Sequence, residues 1–232
     1  YLFAAGEITR MLRSDAAARL IDQASACVPK GERETKKAPR ERGKITVRPV
    51  SAISTIGEYS FGTYMEHEGQ KCIVTDREGT SAMYFDALIE VALSRGYDVV
   101  RAPVPLLTDE SEAVYIPDIR LTVVSDKLIE RAETTSGGEG KGAARRLYDA
   151  DQSVRLINMA RFINQEKITK EDRRRRKSLS KCAAELTGNA LAELSEARRV
   201  HAAVEAIYIS AMNFNRVEEA RERVAAKIFG DG

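Results

Sequence analysis

Apolar and polar positions change rhythm several times along this chain. Short apolar runs stand at 72–74, 97–100 and 120–124, each bounded by turn or charged residues. Runs of that length predict buried strands. Between the first two, Phe85, Leu88, Ile89, Ala92 and Leu93 recur every three or four positions. That spacing predicts a helix over 81–95, which Gly96 ends in the left-handed conformation. Residues 71–101 therefore read as strand, turn (75–81), helix, strand. A β–loop–α–β unit of about thirty residues has the size of a parallel crossover.

The flanking chain is organised around that unit. Phe3, Ile8, Met11, Leu12, Leu20 and Ile21 mark a helix over 3–27, with a restart near Ser14 and Asp15. Residues 29–44 are bounded by Pro and Gly, hold almost no apolar side chain and predict a charged linker. Residues 45–53 predict a strand broken at Pro49, and 114–116 a short strand before Pro117. The stretch 54–68, with Ile56, Tyr59, Phe61 and Tyr64, fits neither period. Leu147, Ala150, Val154, Ile157, Ala160 and Ile163 share one helix face, and 170–177 is a break or a charged helix start.

Ala190, Leu194, Ala197, His201, Val204, Tyr208 and Ala211 then alternate at spacings of four and three. This is a heptad seam, widened by Val200 and Ile207, with small residues that permit close helix approach. It is too short for a free-standing coiled coil and predicts an antiparallel helical pair packed on itself or on the α/β core. Asn213-Phe214-Asn215 marks the turn, and 216–229 the closing helix. The expected organisation is an N-terminal helix (1–28), a charged linker (29–44), an α/β core (45–142) and a helical extension that returns to the core (143–232).

Composition narrows this picture. The chain has 232 residues, 43% hydrophobic and 31% charged, which suits a soluble, helix-rich globular protein. A formal net charge of +2 leaves nucleic-acid binding dependent on a local patch. No apolar run approaches the roughly 18 residues of a membrane span, and the start lacks a signal-peptide pattern. The first residue is Tyr1, so a trimmed chain or a fragment is expected. Cys27, Cys72 and Cys182 are odd in number and fit no metal spacing, which predicts a reducing, cytoplasmic setting. Cys72 reads as a small buried hydrophobe.

Chemistry concentrates in the turn at 75–81. A P-loop carries G-x-x-x-x-G-K-[ST] between a strand and a helix. Its eight positions fall here on Asp76, Arg77, Glu78, Gly79, Thr80, Ser81, Ala82 and Met83. Asp76 puts a carboxylate where phosphates would approach, and Ser81 replaces the second Gly. Ala82 brings no cation to the phosphates, and Met83 cannot hold Mg²⁺. Asp126 ends the apolar segment IRLTVVSD, where such proteins keep a metal-binding acid; a helix N-cap or a loop residue is the simpler reading. The Gly-rich segment 136–142 contains Gly140-Lys141 but follows no strand, and predicts a flexible loop. Arg173–Lys177 could contact phosphates, but no aromatic residues are interleaved, so a solvated helix end is preferred. His201 lies on the seam and is expected to be packed, and His67 lies in a polar turn and is expected to be exposed.

Several segments carry a family resemblance: RPVSAIS (48–54), KCIVTDREGTSAM, LSRGYDVV, IPDIRLTVVSD and the tail HAAVEAIYISAMNFNRVEEARER. The chain resembles, over roughly residues 45–229, the P-loop ATPase-like proteins of spore-forming bacteria that carry two NTPase repeats. The tail is similar to that family's H-x-x-x-E-x-I-Y-I-x-x-M-x-F segment. The resemblance implies a P-loop NTPase-like parallel sheet with flanking helices and a long C-terminal helical hairpin. It also implies that 1–27 could close a preceding repeat. It does not transfer ATP hydrolysis, because the residues that would carry it are Asp76, Ser81, Ala82 and Met83.

The expected function is a degenerate, non-hydrolysing NTPase-like domain with a regulatory or scaffolding role. A nucleotide-binding ATPase using Mg-ATP through an altered loop, with Arg77 as the cation, is one alternative. A helical interaction module working through Leu194, His201, Val204 and Tyr208 is another. Its partner could be a second NTPase-like repeat, a second copy of this chain or another protein; nucleic acid and membrane are not expected.

Overall fold

A computed structural model of the chain describes residues 10–30, 42–55, 57–63, 67–76, 79–151 and 153–230. They form two compact units, Tyr1–Lys181 and Cys182–Gly232.

The first unit is α/β. In chain order it runs α1 (Ala16–Cys27), β1 (Ile45–Val47), β2 (Ser51–Ser54), β3 (Gly57–Ser60), β4 (Gln70–Thr75) and α2 (Ser81–Ser94). It continues with β5 (Val99–Val104), β6 (Leu107–Ile116), β7 (Leu121–Ser125), α3 (Asp126–Thr135), α4 (Ala143–Ala150) and β8 (Arg155–Asn158). Six strands form one sheet in the order β1-β5-β6-β7-β4-β8, and β2 and β3 form a separate hairpin. Strand β6 is antiparallel to both its neighbours, and the other pairings are parallel.

The period of two along β4 assigns the two cores. Cys72 and Val74 face the core built with α1 and α2, whereas Ile73 faces the core built with α3 and α4. Helix α2 buries Tyr84, Phe85, Leu88, Ile89, Val91, Ala92 and Leu93, a stripe wide enough to pack on both the sheet and α1. It ends as expected at Gly96, whose φ is +77° and whose N–H donates to the Leu93 carbonyl at 2.9 Å. Tyr84 Oη lies 3.4 Å from Cys27 Sγ inside the α1–α2 core. The hydrogen bond to Cys27 and burial both push the Cys72 thiol up, which keeps it protonated.

Several expectations change. Residues 147–163 are not one helix: α4 stops at Ala150, Val154 and Ile157 flank and join β8, and Met159–Phe162 is a 3-10 turn. The three- and four-residue spacing there is coincidental, because Asp151 turns the chain by accepting from Ser153 N at 2.9 Å. The α/β core thus extends past residue 142. The 114–116 run is the end of a ten-residue strand whose acidic residues Asp109, Glu110 and Glu112 hide it. The 45–53 strand is two strands in different sheets. Tyr59 lies in the hairpin, while Ile56 and Tyr64 fall outside the described residues. So does most of the charged linker, although Arg42 at its end pairs with Glu90 at 2.8 Å. His67 is half-buried, its ring stacked on Tyr115 with centroids 4.1 Å apart.

The second unit holds residues 182–211 of α5 (Lys170–Ala211) and all of α6 (Phe214–Phe229). The charged segment 170–177 starts α5 rather than breaking it. Asn213 restarts the chain as the cap of α6, its Oδ1 accepting from Arg216 N at 3.3 Å. The two helices do not pack along each other's length, so the expected hairpin is not formed. The seam residues lie open. The side chain of His201 is 72% exposed and paired with Glu205 at 3.2 Å, so it is not a packed histidine. Leu194, Val204 and Tyr208 are exposed as well. Among the described residues, no helix is long and apolar enough to cross a membrane.

Candidate functional site

Two adjacent parallel strands, β4 and β7, send their helices to opposite faces of the sheet: α2 with the Cys72 face, α3 with the Ile73 face. A right-handed crossover requires this, because β4 connects towards β5 and β7 connects the other way, to β8. Such a switch point leaves a crevice beyond the carboxyl ends of the strands. Here it is a cleft of about 710 Å³, bordered by Thr75 and Asp76 at the end of β4, Asp126 and Lys127 after β7, and Asn158 at the end of β8. Glu130, Gly142, Arg145 and Gln165 complete its polar rim.

The two acids singled out in the sequence meet in this cleft. Asp76 N donates to Asp126 Oδ2 at 3.3 Å. Asp126 is not the cap of α3. Ser125 is, its Oγ accepting from Leu128 N at 3.2 Å, which places Asp126 in the first turn facing the cleft. Burial pushes the Asp126 carboxyl up, opposed by the Asp76 N–H and reinforced by Glu130. Among the described residues its Oδ1, buried, has no hydrogen-bond partner.

A raised carboxyl means that the folded state holds the Asp126 proton more tightly than the unfolded chain. This group's contribution to stability is therefore lost as pH rises from the ordinary aspartate range through the folded value. Asp126→Asn keeps an acceptor for Asp76 N and removes that titration. Urea midpoints of the variant are expected to match or exceed the parent at pH 7, with the difference shrinking at pH 4. A variant less stable at pH 7 would mean that the Asp126 charge is compensated.

Asp76 fills the loop from inside. Its carboxylate accepts from Gly79 N at 3.0 Å, Thr80 Oγ1 at 3.2 Å and Ser81 N at 2.6 Å. Those groups belong to the amino end of α2, where a helix offers N–H groups to an anion. Gly79 makes the turn possible with φ +79°, and it is conformation rather than crowding that requires glycine there. Ala82 presents no charge, and Met83 packs against the α1–α2 core. Arg77 and Glu78 lie outside the described residues. Among the described loop residues, the amides at the start of α2 already hold a carboxylate, which a second anion entering there would face.

Lys127, Glu130, Arg145, Asn158 and Gln165 were not singled out in the sequence. Glu130 was findable, one helical turn after Asp126, and its Oε1 accepts from Gly142 N at 3.1 Å. The Gly-rich segment is thus tied to the cleft rim rather than loose. Asn158 was hidden by the mistaken helix across β8. Arg145 is steadied by Asp149 at 3.0 Å and lies over the Tyr148 ring. Among the described residues no group of three or more His, Cys, Asp or Glu could hold a metal ion. Comparison with known protein families, with curated proteins and with solved structures gives no match to this chain.

Proposed function

We propose that the first unit is an NTPase-like domain that keeps the strand–loop–helix frame without phosphate chemistry, and serves as a regulatory or scaffolding part. One observation carries this reading: the carboxylate of Asp76 occupies the amide cradle at the start of α2. The residues at the positions of the cation and the metal anchor, Ala82 and Met83, agree with it.

Isothermal titration with Mg-ATP and Mg-GTP tests the reading. No heat of binding is expected at millimolar nucleotide. Micromolar binding would overturn it in favour of an altered but working loop, and loss of that binding in Arg77→Ala would name the cation. The loop assignment has its own test in Asp76→Gly combined with Ala82→Lys and Met83→Ser. A gain of nucleotide affinity is expected, because a free amide cradle and a lysine add charge-assisted hydrogen bonds worth about 1.5–3 kcal/mol each. No gain in a folded variant would remove the comparison with phosphate loops.

A second reading, a helical interaction module, is favoured by the apolar seam that α5 leaves open.

A further inference from the structure

We propose that the cleft at the carboxyl ends of β4, β7 and β8 is a binding site for a neutral, hydroxyl-rich small molecule, a sugar or polyol. Such a ligand lies beside the 76–81 loop rather than in it, so its binding does not depend on whether that loop takes a nucleotide. The cleft volume of about 710 Å³ falls within the roughly 300–1,000 Å³ usual for small-molecule sites. Its place, at the switch point of an open, mostly parallel sheet, is where such folds bind ligands.

The lining selects the chemistry. Small-molecule sites are usually apolar walls with a few polar groups. Here, among the described residues, no aromatic or large aliphatic side chain borders the cleft. A nucleobase would find no ring to stack on, and a lipid no apolar wall. An occupant must make hydrogen bonds over most of its surface.

Charge disfavours ions of either sign. Asp76, Asp126 and Glu130 set carboxylates against an anion, and Lys127 and Arg145 oppose a cation. Most of these charges are also engaged already. Asp76 holds the amino end of α2, Glu130 accepts from Gly142 N at 3.1 Å, and Arg145 pairs with Asp149 at 3.0 Å. Burial pushes the Asp126 carboxyl up, towards the neutral form that an ammonium group cannot pair with.

What remains suits hydroxyls, each of which both donates and accepts. The buried Asp126 Oδ1 has no hydrogen-bond partner among the described residues, and buried polar groups are normally satisfied. A hydroxyl donating to this carboxyl answers that deficit. Asn158 stands beside Thr75 in the register of β8 on β4. Its Oδ1 accepts from Ala160 N at 3.0 Å, which leaves its amide N–H groups to donate elsewhere. Gln165 brings a second carboxamide, with a donor and an acceptor, to the rim. Asp126 is half-buried, whereas Asn158 and Gln165 are exposed. A ring carrying several hydroxyls can therefore donate at the floor and accept at the rim.

Isothermal titration of the full chain with D-glucose, D-ribose and trehalose is the test, with putrescine and inorganic phosphate as charged probes. At least one sugar is expected to bind with a dissociation constant of about 1 mM or lower, and neither charged probe to bind at the same concentration. Asn158→Ala and Gln165→Ala are each expected to weaken that sugar about tenfold, with Arg199→Ala on α5 as the unaffected control. Asn158 also caps a turn, so circular dichroism accompanies each variant, and Gln165→Ala decides if Asn158→Ala does not fold. No heat with any of the sugars at millimolar concentration overturns the proposal, as does putrescine or phosphate binding more tightly than every sugar. Sugar binding that the folded cleft variants leave unchanged overturns the placement in this cleft.

Discussion

Replacing Arg131 by methionine is expected to lower the unfolding free energy by about 3–5 kcal/mol, the usual cost of stranding a buried charge. Arg131 on α3 pairs with Glu112 of β6 and with Glu58 of β3 at 2.6 Å. Glu112 is only 2% exposed, and Ser51 of β2 also donates to it. One guanidinium therefore joins the small hairpin, the antiparallel strand and a helix over the sheet. Burial pushes the Glu112 carboxyl up despite these partners. The group's contribution to stability is accordingly lost as pH rises through its folded value, and removing Arg131 steepens that loss. Urea denaturation should give the largest difference at neutral pH and a smaller one where Glu112 is protonated. The double variant Glu112→Gln/Arg131→Met should recover much of the loss. A single variant within about 1 kcal/mol of the parent would mean that the hairpin does not depend on this pairing.

Asp76→Ala is expected to cost about 2–4 kcal/mol, because two backbone amides and a hydroxyl lose one charged acceptor in a buried turn. Asp76→Asn should cost about half as much, since it keeps one acceptor. The measurement is the urea midpoint at constant slope, with proteolysis near the 76–81 turn as a local readout. A loss below about 0.5 kcal/mol would mean that the carboxylate does not organise the turn, and would remove the support for a filled cradle.

The central unit was legible because its signals are local. A three-residue apolar run, a 3.6-residue period and Gly96 each act within a few positions. The convergence of Asp76 and Asp126 was legible only in part, since the sequence marked both residues but not the pairing of β4 with β7. Strand β6 was hidden because Asp109, Glu110 and Glu112 interrupt its alternation, and the ion pair that makes Glu112 tolerable comes from α3. Strand β8 was hidden because Val154 and Ile157 also fit a helix, and only β4 beside them decides. The residues of the heptad seam lie on one helix, but the hairpin that the spacing predicted is not formed. Spacing shows which side chains share a face and does not say what covers it.

The strand order carries a consequence for how the chain reaches this state. Central strand β4 pairs Cys72 with Val123 and with Arg155, whereas β5 and β6 are joined by a tight turn. Closing long loops is entropically dear, so the β5–β6 hairpin can form early and β4 must wait for both neighbours. During synthesis the Cys72-Ile73-Val74 run leaves the ribosome well before either partner. It then depends on α2, the next element made, to cover one of its faces.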